Sequence, residues 1–155
     1  MLDRQVVIAY DNINRIINEV GIPTGEIPGK KLTIEEVVGL HLTTIMLGIN
    51  TISAEIAKFR NLVEVSYYAN KQQIIPNSSI EGVFDRTREA IFSLKNEIIH
   101  RMHLQLAEFD NNYLKVSVAS ENDSAIELLS KIRDVVTEYF DSEETMMNSE
   151  IKRYF

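Results

Sequence analysis

Apolar residues along this chain recur mostly at intervals of three and four, the spacing that gathers side chains onto one face of an α-helix. Val6, Ala9, Ile13, Ile16 and Val20 mark a first amphipathic helix over residues 3–20, with Gly21 as its C-terminal stop. Residues 21–32 hold Gly21, Gly25 and Gly29 with Pro23 and Pro28, and such a stretch is expected to be a loop. Thr33 and Glu36 then have the spacing of a capping box, in which the hydroxyl accepts from the free amide three residues on and the carboxylate reaches back.

From that cap the apolar positions run Val38, Leu42, Ile45, Ile49, Ile52, Ile56, Phe59 and Val63, alternating four and three without a break. This is the strongest signal in the chain, and it keeps one stripe turned toward a neighbouring helix at a shallow crossing angle. The second helix is expected to reach about Asn70, with Gly48 and Asn61 as candidate kinks. Pro76-Asn77-Ser78 within 71–79 reads as a turn, and Ser78 or Ser79 caps a third helix running to about His103, with Val83, Ile91, Leu94, Ile98 and Met102 buried. Asp110-Asn111-Asn112 is a further turn signal, and the alternation over Tyr113–Val118 predicts a short extended segment. Ala125, Leu129, Ile132, Val136 and Phe140 mark a fourth helix capped near Ser120 or Asn122, and Ser142 opens a short C-terminal helix over 142–153. The expected fold is all-α: an antiparallel four- to five-helix bundle forming one domain over 1–155, its core over 33–140, with one short extended segment near 113–118.

Composition narrows the function classes. The chain has 155 residues, enough for one core without staples, and no Cys, which removes disulfides, thiolate nucleophiles and cysteine-bound metal centres. Sixteen Lys and Arg against 23 Asp and Glu give a formal charge of -7, which disfavours broad attraction to nucleic acid or anionic lipid. The start lacks the basic segment and small-residue cleavage site of a secretory signal. No apolar stretch is expected to approach the roughly 18 uncharged residues that suggest a membrane span. The expectation is an intracellular, cytoplasmic protein with no membrane partner.

Candidate chemistry concentrates in Lys95-Asn96-Glu97-Ile98-Ile99-His100, followed by Arg101 and His103. At about 100° per residue, Asn96, His100 and His103 share one stripe, while Leu94 and Ile98 lie roughly opposite on the buried side. A solvated polar face is the plainer reading of such a stripe. His41 sits beside the long apolar seam and is expected to be a packing residue. Glu97 and His100 have the Glu-x-x-His spacing of di-iron bundles, but those need a second copy of the motif and two more Glu residues. His41, His100 and His103 are too isolated to specify a mononuclear site. No metal and no cofactor are expected. The chain also lacks a Gly-rich phosphate loop, a nucleophile elbow and a His-Glu-x-x-His pattern.

A helical hairpin, a turn, and then Leu94-Lys-Asn-Glu-Ile-Ile-His-Arg101 late in the third helix resembles the HEPN family of small helical-bundle proteins. That family carries an Arg, often followed by Asn or another polar residue, and a His some four to six residues further on. Asn96 and His100 match, whereas Lys95 stands in place of the Arg. The resemblance implies metal-independent RNA cleavage in a homodimer whose two motifs meet in one cleft. His100 would be the acid/base and Asn96 would orient it; Lys95 would contact phosphate, with Arg101 and His103 as further contacts. An imidazole can move a proton near neutrality and a cation can stabilise a phosphorane. Lys, however, lacks the two-pronged contact of a guanidinium. Lys95 and His100 also stand about 140° apart around the helix, so a second subunit would have to complete the site. Family members that have lost catalysis act as binding modules.

Two functional expectations result. One is a HEPN-like, metal-independent endoribonuclease or RNA-binding module of defence type, working as a homodimer. The other is a non-enzymatic helical interaction or assembly module in which the heptad stripe of the second helix and the Met- and Tyr-bearing helix ends serve the helices of a partner protein.

Overall fold

The computed structural model describes residues 3–27, 29, 31–71, 80–120 and 123–154, with side chains described outside 69–71, 80–85 and 113–120. The described residues form four helices: α1 (Arg4–Val20), α2 (Ile34–Lys71), α3 (Ile80–Ser120) and α4 (Asp123–Tyr154). Asp3 caps α1 by accepting from the Gln5 amide at 3.0 Å. Gly21 ends it at φ 81, its amide donating to the Ile17 carbonyl at 2.8 Å. The loop folds back on itself: Glu26 pairs with Thr33, the Ile34 amide donates to the Gly25 carbonyl, and Ile27 is buried beneath it. Thr33 and Glu36 form one arm of the expected capping box: the Glu36 amide donates to the Thr33 hydroxyl, and that hydroxyl, not the Thr33 amide, donates to the Glu36 carboxylate.

Cross-helix contacts set the directions. Tyr10 meets Asn50 and Asp3 meets Arg60, so α1 runs against α2. His41 meets Phe109 and Glu55 meets Arg101, so α2 runs against α3. Asp110 meets Arg133 and Lys95 meets Asn148, so α3 runs against α4. The bundle is thus up-down-up-down, with α2 packed chiefly on α3 and α1 chiefly on α4. All eight seam residues of α2 are buried, from Val38 to Val63, together with Val6, Ala9, Ile13 and Ile16 of α1. Ile91, Ile98, Met102 and Phe109 of α3 and the stripe from Ala125 to Ile151 of α4 complete the core.

Four sequence expectations are corrected. α3 does not stop near His103 or turn at Asp110: Phe109 is buried, and both Asp110 oxygens accept from Arg133 of α4 at 2.6 and 3.1 Å, so the turn signal is spent as an interhelix clamp. Residues 113–118 are helical, not extended. An isolated extended piece would leave its amides and carbonyls without a ladder, while helix pairs them internally. α4 is continuous through Ser142, since its buried stripe passes from Phe140 through Glu143 and Met147 to Ile151. Lastly, positions 37–54 contain no Asp, Glu, Lys or Arg, so α2 is long and apolar enough to cross a membrane by length and composition; 39% of its most apolar window is buried in the bundle. α2 continues as one helix past Gly48 and Asn61; at Gly48 the absent side chain admits Gln105 of α3, whose Oε1 lies 2.5 Å from where a Cβ would stand. The proposed caps at Ser78, Ser79 and Asn122, the 76–78 turn and the Val83 side chain lie outside the described residues.

Candidate functional site

Ile98 is fully buried and orients the motif stretch of α3. Lys95 and Arg101 flank it on opposite sides, each about 60° away, while Asn96, His100 and His103 fall on the far side of the helix. Those three are exposed. The two cations are each drawn to a neighbouring helix. Lys95 Nζ donates to Asn148 Oδ1 of α4 at 3.0 Å and lies 5.3 Å from the centre of the Phe92 ring. Arg101 donates to Glu97 at 2.8 Å and pairs with Glu55 of α2 at 3.4 Å, and Glu55 also pairs with Lys58 at 3.1 Å. Arg101 is therefore a tie between α2 and α3 set between two carboxylates, and the Glu97–Arg101 pair is a helix-surface bridge four residues apart. Asn96 lines a shallow open groove with Arg88, Glu89, Phe92 and Ser93; His100 and His103 are not on its wall. The structure brings Asn96, His100 and His103 to one solvent face and separates Lys95 and Arg101 from it.

His41 packs as expected, its ring 4.7 Å from that of Phe109, with neither nitrogen hydrogen-bonded within the protein. Burial lowers its pKa by disfavouring the charged ring.

A second polar group was missed by sequence reasoning. Glu143 is completely buried on the core stripe of α4, without a protein hydrogen-bond partner. Burial first, and then the charge of Asp3, push its carboxyl up from 4.5 to about 7, against the opposing pull of Arg60. Asp3 itself caps α1 through one oxygen and pairs through the other with Arg60 at 3.2 Å. Tyr139, one turn before Glu143, has its hydroxyl pushed up by burial and by the charges of Glu143 and Asp3. Perturbed acids mark functional sites when a ligand can reach them. Here the adjacent groove is walled by Asp3, Ser53 and Arg60 but not by Glu143, so the carboxyl is closed off from it. The signal was present: carrying the apolar stripe past Phe140 in steps of three and four lands on Glu143, Met147 and Ile151.

The third candidate is a surface. The outward side of α2 presents Glu36, Leu40, Thr43, Leu47, Thr51, Ala54 and Lys58, all exposed, with Leu40 at 60% and Leu47 at 61%. All seven lie within about 40° of the Leu47 direction around the helix. Thr43 and Thr51 donate their hydroxyls to the carbonyls of Gly39 and Leu47, each at 2.9 Å. The face thus offers methyl and methylene groups, with charge only at its two ends.

Set against family models, curated proteins and solved structures, the chain finds no match in any of the three. The likeness to HEPN proteins accordingly rests on the helical hairpin and the Lys95–His100 motif alone. Among the described residues, no three His, Asp or Glu side chains are grouped to hold a metal ion.

Proposed function

We propose that this chain is a helical interaction module that docks a partner through the outward face of α2. The observation that carries this reading is the run of exposed Leu40, Thr43, Leu47, Thr51 and Ala54, none of which the bundle uses. Exposed apolar surface of this continuity marks association sites. The pairing of both motif cations with neighbouring side chains also supports this reading, Lys95 with Asn148 and Arg101 with Glu97 and Glu55.

A second reading is favoured by the shared solvent face of Asn96, His100 and His103. In it, a HEPN-like homodimer cleaves or binds RNA without a metal. His100 moves the proton, Asn96 orients it, and Lys95, Arg101 and His103 of the two subunits supply phosphate contacts once they exchange their present partners. One assay separates the two. Purified chain incubated with single-stranded and hairpin RNA in EDTA is expected to leave both intact, and Lys95→Arg is expected to do the same. Cleavage by the parent chain that disappears in His100→Ala would overturn the interaction-module reading in favour of the nuclease.

A further inference from the structure

We infer that the occupant of the α2 face is a second copy of this chain, packed with its own α2 antiparallel and Leu47 on the two-fold axis. The inference rests on the interaction-module reading and adds the identity and register of the partner.

The pattern of the face is self-complementary about Leu47. Glu36 and Lys58 stand eleven residues to either side of it. In an antiparallel pair centred on Leu47, Glu36 of each copy comes level with Lys58 of the other. Leu40 comes level with Ala54, Thr43 with Thr51, and Leu47 with Leu47. Leu40 thus meets the small Ala54, the two Thr are matched in size, and opposite charges meet at both ends. An isologous contact demands this relation of residue i to j and j to i. Each chain carries -7, which opposes self-pairing at long range, but this face adds no further repulsion, since its one Glu and one Lys balance. A basic partner or a nucleic acid would find little to pair with here. Burial strands no hydroxyl donor, since Thr43 and Thr51 are already satisfied within the helix. The overlap runs from Ile34 to Arg60, about 40 Å of helix.

The test uses the full chain, which has no native thiol. Light scattering at tens of micromolar is expected to give the mass of a dimer. Leu47→Glu, at a position the fold leaves exposed, is expected to weaken it at least about tenfold, because two carboxylates would meet on the axis, while helical circular dichroism stays unchanged. Lys58→Glu, which puts a carboxylate level with Glu36 of the other copy, is expected to weaken the dimer as well. Register is read by single cysteines: on mild oxidation Leu47→Cys is expected to give a disulfide-linked dimer, while Leu40→Cys, whose two copies would stand about 21 Å apart along the helices, is not. Equal cross-linking of the two would overturn the register. A wild-type monomer at every concentration would overturn self-pairing while leaving the module reading in place, and a monomer that sediments with phosphatidylcholine vesicles would give the face to lipid. RNA cleavage dependent on His100 overturns the module reading instead, whatever the mass.

Discussion

Glu143 couples stability to pH through a single side chain. Its folded pKa of about 7 lies above the ordinary 4.5 because burial and the charge of Asp3 disfavour the carboxylate. A raised acid binds its proton more tightly in the folded chain. Its contribution is therefore full below about pH 4.5 and is lost as pH rises through about 7, a change on the order of 3 kcal/mol. His41 acts in the opposite direction. Its pKa is lowered by burial, so its contribution is present above 6.5 and is lost as pH falls through the lowered value. Glu143→Gln isolates the first effect, since the amide cannot ionise. Urea unfolding should show the variant gaining on the parent steadily between pH 4.5 and 7 and exceeding its low-pH difference by up to about 3 kcal/mol at pH 8. A difference that stays constant across this range would mean that Glu143 does not hold its proton. Both residues are plain in the sequence, but burial gives them these properties: spacing places His41 beside the seam, whereas Glu143 is an acid on a stripe that apolar residues alone trace only to Phe140.

Elements differ in how completely their own residues announce them. The eight seam positions of α2 and its Thr33–Glu36 cap are local signals, and both are realised. The ends of α3 and the continuity of α4 are not local, because Asp110-Asn111-Asn112 and Ser142 carry turn and cap chemistry that tertiary contacts override. Arg133 occupies the Asp110 carboxylate, and the core takes the stripe straight through Ser142. The two views of Ser142 predict different responses to proline. At the first turn of a separate helix it would be tolerated, whereas inside continuous α4 it removes a backbone bond and clashes with the preceding turn. Ser142→Pro is thus expected to cost about 3 kcal/mol or more in chemical denaturation. A loss below about 1 kcal/mol would restore the break between two helices.

At the scale of the whole molecule, the proposed pairing through α2 would make stability depend on protein concentration, because mass action favours any state that binds only the folded chain. The melting temperature is expected to rise as concentration is raised a hundredfold and to become flat in Leu47→Glu. A flat parent profile would argue against association. Sequence alone determined the all-α class, the main helices, the buried seam of α2, and the placement of Asn96, His100 and His103 on a single polar stripe, because helical periodicity depends only on spacing along the chain. The repeat of outward positions on α2 was equally present, as was the uncharged run over 37–54, but an apolar residue declares itself exposed only when the core is seen to be full without it. Tertiary structure alone decided that Lys95 turns to Asn148, that Arg101 is held by Glu55 as well as Glu97, and that Glu143 faces Asp3 and Arg60. Those pairings join residues far apart in sequence, and no local spacing encodes which helix will pack beside which.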